Sequence, residues 1–341
     1  MFVSALRNHQ NAGYFYLAVL TVILRLVPAI SPLGRSEVFI LEPYIRSLFS
    51  LDFSFLSNSQ LNILFAGLTV YVQALIFNHI LLRYNIFSKP SFIPAALYII
   101  ISSLFKVFLF LQPVLIVNFF MIWLVERIFA IYKTDQPIAR AFDLGLIIAA
   151  GTFVYFPFIT LLPVVWIGIS TFLPFSWRVW LSGLLGFVVL YFFLGVFYFY
   201  ADELDKFFRI FQPFDLQFRA RMEILLFDLL TLIPLAITLL FAIGYYRQIY
   251  RKNLVQVRKS VQVLFSIVLF SGAGFYLQPF LVQYSGYGLY IKPRYTLLHF
   301  LIWAAPVSVY ASYFFIFAEK RWIYESLFLV LISSIIFFQI Y

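Results

Sequence analysis

Three carboxylates and two arginines fall in one stretch, Gly34 to Gln60, of a chain that is otherwise almost continuously apolar. The acids are Glu37, Glu42 and Asp52, and the bases are Arg35 and Arg46. A carboxylate just outside a membrane span, partly desolvated under an interfacial helix, has its pKa raised toward the working range, and neighbouring arginines oppose that shift. Glu37 stands nearest the end of the first apolar segment and is the candidate general base. It is placed to deprotonate an acceptor hydroxyl that attacks a lipid-linked sugar. Arg25, inside that first segment, and Arg35 are the candidate ligands of a lipid phosphate, because a planar guanidinium meets phosphate oxygens in a fixed fork. Arg25 has a structural reading too, in which it snorkels or is paired with an acid such as Asp228. Glu42 and Arg46, four residues apart, form an expected ion pair along one helix face. Asp52 reads as a cap for the next turn.

The element that must position these groups begins at Pro43. Proline suits the first position of a helix, and Ile45, Leu48 and Phe49 then line one side while Glu42, Arg46 and Ser50 line the other. That pattern predicts a short amphipathic helix lying in a membrane interface. The surroundings fix the class. Hydrophobic residues make up 64% of the 341, charged residues only 11%, and mean hydropathy is +0.97, far from the roughly 25% charge of a soluble domain. The solvent for such a surface is lipid. A formal charge of +10 then reports topology and contact with anionic lipid rather than nucleic-acid binding. There is no cysteine, which excludes disulfides and thiolate chemistry, and the three histidines, His9, His79 and His299, lack metal-ligand spacing.

Eleven segments are long or apolar enough to be candidate spans, approximately 14–34, 61–82, 91–105, 111–132, 141–156, 158–174, 178–200, 221–246, 261–283, 295–317 and 322–340. The third, fifth and sixth are short or bounded by proline. With the N-terminus inside, the inner segments carry 14 Lys and Arg and the outer loops 9, which favours that orientation and places Tyr341 outside. Three loops then stand out within a single integral membrane domain, residues 1–341: the first outer loop 35–60, a second charged outer loop 201–220, and an inner loop 247–260. In the second loop Asp202–Lys206 and Asp205–Arg209 are expected pairs, with Phe207, Phe208 and Phe211 on the opposite face and Pro213 ending the segment. The inner loop holds Arg247, Arg251, Lys252, Arg258 and Lys259 without an acid and predicts contact with anionic lipid. Asp143 and His79 read as polar groups near the inner interface. No Walker or dinucleotide fingerprint is present, and no cofactor is expected.

The segments NHILLRYNIFSKPSFIPAALYIIISSLF (78–105), FDLGLIIAAGTFVYFPFITLLPVVWIGIS (142–170), FSWRVWLSGLLGFVVLYFFLGVFYF (175–199) and AAPVSVYASYFFIFAEKRWIYESLFLVLI (304–332) resemble blocks of an uncharacterised family of polytopic inner-membrane proteins of Bacteroidota. The carotenoid-oxygenase label carried by some members implies four histidine ligands to iron, and this chain has three. A second resemblance is to glycosyltransferases of the GT-C type, which take sugars from polyprenyl phosphates. It rests on the first span, the acidic outer loop with its interfacial helix, and GLIIAAGTFVYFPF. The chain departs from their acidic motif in having SEVFILEP, with Glu37 and Glu42 five apart.

Together these readings give an all-α polytopic bundle of about eleven spans with two outer interfacial helices, in a bacterial inner membrane, N-terminus cytoplasmic and C-terminus periplasmic. Two functions are expected. One is a GT-C-like transferase whose partners are membrane lipids and a polyprenyl-phosphate sugar. The other is a non-catalytic subunit or scaffold for envelope assembly, secretion or transport.

Overall fold

The computed structural model describes residues 2–7, 12–30, 58–132, 134–211, 226–284 and 293–340. Among them the chain is all-helical, with no strand. The helices are α1 (Phe2–Arg7), α2 (Ala12–Ile30), α3 (Ser59–Arg83), α4 (Ile93–Ile101), α5 (Pro113–Phe129), α6 (Pro137–Val154), α7 (Leu162–Phe172), α8 (Trp177–Tyr200), α9 (Leu204–Arg209), α10 (Leu226–Tyr250), α11 (Val255–Tyr284), α12 (Ala304–Phe317) and α13 (Arg321–Ile340). Among the described residues three 3-10 segments, Lys106–Leu109, Phe156–Leu161 and Pro293–Trp303, interrupt them.

Local chemistry sets many boundaries. The Asn58 side-chain oxygen accepts from the Gln60 and Leu61 amides and caps α3. Prolines occupy the first turn of α4, α5, α6 and α7, where no N–H is needed. Among the described residues six helical stretches are long and apolar enough to cross a membrane: α3, α6, α8, residues 228–250 of α10, the continuous 297–317, and residues 321–339 of α13. Of the eleven segments expected from sequence, 91–105 differs most. Its helix is the nine-residue α4, which rises only about 14 Å at 1.5 Å per residue. Every residue of α4 is buried by protein.

The connections 84–92, 130–132 with 134–136, 173–176, 251–254 and 318–320 gather at one end. The Phe92 amide and the Ser91 hydroxyl both bond the Leu6 carbonyl. Arg7 donates to the carbonyls of Phe315 and Ala318, and its guanidinium lies over the Tyr324 ring. Glu126 binds the Tyr84 hydroxyl and lies 3.6 Å from both Arg83 and Arg127, and Arg127 also reaches Asp143 at 3.8 Å. Tyr132 packs on Phe172, the Ser182 hydroxyl bonds the Ile138 carbonyl, and Tyr313 meets both Phe87 and Tyr246. Most of the described basic side chains belong to this end, which is called the basic end below.

The tightest helix pair is α6 with α8. The two run parallel, with α7 returning between them, since Phe142 meets Gly186 low in the pair and Thr152 meets Tyr191 higher up. A methyl at Gly145 would collide with the Gly183 carbonyl, and one at Gly186 with the Phe142 carbonyl. Small residues let the backbones touch, which is how helices gain packing energy where lipid is as apolar as leucine.

Candidate functional site

Away from the basic end, α4 stops at Ile101 and α5 starts only at Pro113. The intervening backbone turns irregularly, with Phe105, Phe110 and Gln112 extended. In lipid every freed carbonyl and amide must find a partner inside the protein. Here the partners are side chains from other helices. Arg25 of α2 donates from Nη1 to the Leu109 carbonyl at 2.5 Å and from Nη2 to the Ser102 carbonyl at 3.4 Å. Gln339 of α13 donates to the Ser103 carbonyl at 3.0 Å. Asn62 of α3 accepts from the Leu111 amide at 2.6 Å. Gln73, also on α3, donates to the Leu115 carbonyl at 2.7 Å and accepts from the Tyr98 hydroxyl at 2.9 Å. Asn118 of α5 donates to the Leu301 carbonyl at 3.1 Å, tying in the Pro293–Trp303 segment.

Helical rise gives the depth. Gly13 abuts the Phe92 ring at the basic end. Arg25 is twelve residues further along α2, about 18 Å at 1.5 Å per residue, and Ser102 is ten residues beyond Phe92, about 15 Å. Pro113, where α5 starts, is sixteen residues from Phe129, about 24 Å, and Asn62 is twenty-one residues from Arg83, about 32 Å, so the break runs through the half of the bundle away from the basic end. Gly67 on α3 makes room for the Arg25 shaft, since a Cβ there would stand 3.1 Å from Arg25 Cδ.

This cluster keeps unused valence. Arg25 Nε, the Ser102 and Ser103 hydroxyls, Gln339 Oε1 and Asn118 Oδ1 are buried and make no hydrogen bond. Arg25 is 4% exposed, and no described carboxylate is within ion-pairing distance of it. The expected Arg25–Asp228 pair is therefore not formed.

A second polar contact joins the other two interruptions. Tyr155, extended between α6 and Phe156–Leu161, meets His299 of the Pro293–Trp303 segment, hydroxyl to Nδ1, at 2.9 Å. His299 Nε2 faces the Ser271 carbonyl of α11 at 2.5 Å, and a carbonyl only accepts, so Nε2 carries the hydrogen. The Trp303 indole donates to the Ser271 hydroxyl at 2.7 Å. Gly274 lies flat under the imidazole, where a methyl would strike Cε1.

The comparisons with known proteins fall silent at this point. The chain matches no family model, no characterised protein and no solved structure. What the site does must be read from its own residues.

Glu37, Arg35, the Glu42–Arg46 pair and Asp52 lie outside the described residues, as does the interfacial helix expected after Pro43. Asp143 is held by Arg127 near the basic end, and His79 is exposed on α3. In the inner loop Arg247, Arg251 and Lys252 are exposed, while Arg258 is half-buried with its guanidinium over the Tyr250 ring. The 201–211 segment corrects one detail. Lys206 pairs with Glu203 at 2.5 Å, not with Asp202, because Asp202 takes a left-handed φ of 55° before the helix starts at Leu204. Phe207 then folds back over Gly195 of α8 and meets Phe211.

Tyr155, Ser271, Trp303, Gln73 and Gln339 carry no spacing or motif signal in the sequence. His299 was weighed only as a metal ligand, although an ionisable side chain inside an apolar run is itself a signal. Among the described residues no group of three or more potential metal ligands forms, and no aspartate or glutamate is buried.

Proposed function

We propose that this is a polytopic membrane protein of transport type that accepts part of a lipid-linked substrate at the polar centre between α2, α4, α5 and α13. The observation that supports this is the interruption of the α4–α5 hairpin inside the bundle, with Arg25 and Gln339 on its freed carbonyls. Interrupted helices with polar groups at the midplane are how many transporters build a substrate site. The absence of any buried carboxylate among the described residues favours moving or handing on a substrate over acid–base chemistry within the bundle.

The GT-C-like transferase is the second reading. Arg25 favours it, because this buried cation sits on the helix that leads into the first outer loop. In that reading Arg25 and Arg35 hold the phosphate of a polyprenyl-phosphate sugar, Glu42–Arg46 braces the closing helix, and Glu37 takes the acceptor proton.

In both readings the protein sits in a bacterial inner membrane with the basic end cytoplasmic and the C-terminus periplasmic. The gathering of basic side chains at one end supports this orientation. About eleven crossings are completed when irregular segments extend the short helices, and Arg247, Arg251, Lys252, Arg258 and Lys259 meet anionic headgroups. Single cysteines test the orientation. One at Lys252 should resist an impermeant thiol reagent on spheroplasts and one at the exposed Tyr200 should react, and the opposite result would invert the topology.

The test of function is reconstitution in liposomes holding a fluorescent farnesyl phosphate. Wild-type protein should speed the exposure of inner-leaflet probe to an external quencher, and Glu37→Gln should leave that rate unchanged. If the probe moves no faster than in protein-free liposomes, the transport reading fails. Sugar transfer from a polyprenyl-phosphate sugar, abolished by Glu37→Gln, would establish the second reading instead.

A further inference from the structure

We infer that the buried polar cluster at the α4–α5 break is an anion site, with Arg25 as its cation and a phosphate-type group as its ligand. The inference rests on the transport reading above and gives its substrate a charge.

The argument begins with the charge balance. The C-terminal end of α4 presents carbonyls at Ser102 and Ser103, equivalent to about half a negative charge. The N-terminal end of the 17-residue α5 opens on the same break and presents about half a positive charge. The two cancel, so the guanidinium of Arg25 remains as a nearly whole positive charge. It is buried, and no described carboxylate pairs with it. An isolated charge in low dielectric is costly unless it is compensated.

The second argument is valence. Arg25 uses Nη1 and Nη2 on carbonyls and keeps Nε without a partner. The Ser102 and Ser103 hydroxyls, on the two residues whose carbonyls take Arg25 and Gln339, are also without partners. A guanidinium edge with two hydroxyl donors beside it suits the oxygens of a phosphate monoester. The unused Gln339 Oε1 and Asn118 Oδ1 are acceptors and suit hydroxyls on the same ligand or on water.

The third argument is shape. Gly67 leaves the groove in which the Arg25 shaft lies, so the guanidinium is held from behind by α3 and from the front by the break. Its orientation is fixed before any ligand arrives, which lowers the entropy lost on binding.

The experiment uses the full chain in lipid nanodiscs, with farnesyl phosphate, inorganic phosphate and farnesol as probes in a thermal-stability titration. Farnesyl phosphate should raise the melting temperature saturably, and farnesol should not. Ser102→Ala with Ser103→Ala should leave the unliganded melt close to wild type and weaken the phosphate effect several-fold. Arg25→Gln should weaken it about ten-fold or more, as expected for a charge-assisted hydrogen bond removed. The serine pair keeps the test valid if Arg25→Gln fails to fold. Stabilisation by inorganic phosphate as well would identify a free anion in a water-accessible site, and stabilisation by farnesyl phosphate alone would identify a lipid-borne one. A wild-type protein indifferent to both phosphates overturns the inference, as does an effect untouched by the serine pair. Binding without probe movement in liposomes would keep the anion site and remove the transport reading. Probe movement without Arg25-dependent binding would do the reverse.

Discussion

The guanidinium of Arg25 donates to the main-chain carbonyl of Leu109 at 2.5 Å, across 84 residues of sequence. A cation that hydropathy places in the middle of a span is spent on the backbone of another helix. The chain can therefore stop being helical within the bundle without leaving that carbonyl unpaired.

The same logic governs Gln73, which serves the Leu115 carbonyl and the Tyr98 hydroxyl at once. Gln73→Leu removes both bonds and strands the buried Tyr98 hydroxyl, and should cost about 1–3 kcal/mol. Tyr98→Phe removes one bond and should cost about 0.5–1.5 kcal/mol. A double-mutant cycle from reversible unfolding in mixed micelles should show a coupling of about 0.6–2 kcal/mol between them. Additive effects would mean that the two side chains do not meet.

Two glycines on membrane helices should respond oppositely to the same substitution. Gly145→Ala drives a methyl into the Gly183 carbonyl and should separate α6 from α8, at about 1–3 kcal/mol. Gly244→Ala on α10 meets nothing within 4 Å and should be neutral or stabilising by up to about 1 kcal/mol through helix propensity. Thermal melts of the two variants in one detergent make the comparison.

His299 gives a spectroscopic prediction. Selective ¹⁵N labelling should show its hydrogen on Nε2, facing the Ser271 carbonyl, with Nδ1 hydrogen-bonded to Tyr155. Tyr155→Phe should shift the Nδ1 resonance and leave Nε2 in place. Gly274→Ala, by striking the ring, should disturb both. An Nδ1–H tautomer in the wild type would contradict the geometry.

Tyr84, at the basic end, gives a pH dependence. Burial, and then Glu126, which accepts its hydroxyl proton, raise its pKa above the usual 10.0. The folded form thus holds the proton more tightly than the unfolded form. Its contribution to stability is complete below pH 10 and is lost as pH rises through the folded pKa. The advantage of wild type over Tyr84→Phe in thermal melts should therefore shrink above pH 10. A difference that is flat with pH would show that the hydroxyl is not held in this way.

Much of this architecture was legible in the sequence. Apolar run length locates α3, α6, α8, α10 and α13, because lipid imposes that length directly. The break after Ile101 was not. The sequence shows only a short third segment that ends before Lys106, and the groups that receive the freed backbone lie far away, on Arg25, Asn62 and Gln339. The Lys206 partner was misassigned because spacing assumes a helix already running, and Asp202 lies outside it. Glu37, the residue on which the catalytic reading depends, belongs to 31–57, outside the described residues.

The placement of α1 bears on biosynthesis. Glu325 of α13 accepts the amides of Val3 and Ser4, and Arg7 binds carbonyls at Phe315 and Ala318. α1 thus finds these partners only after more than 300 further residues have been made. Until then its first amides have no carboxylate, and the Arg7 guanidinium waits at the membrane surface. Insertion can proceed hairpin by hairpin, but the basic end closes last, in a step that joins α1 to α13 and is slow for the loop it must close.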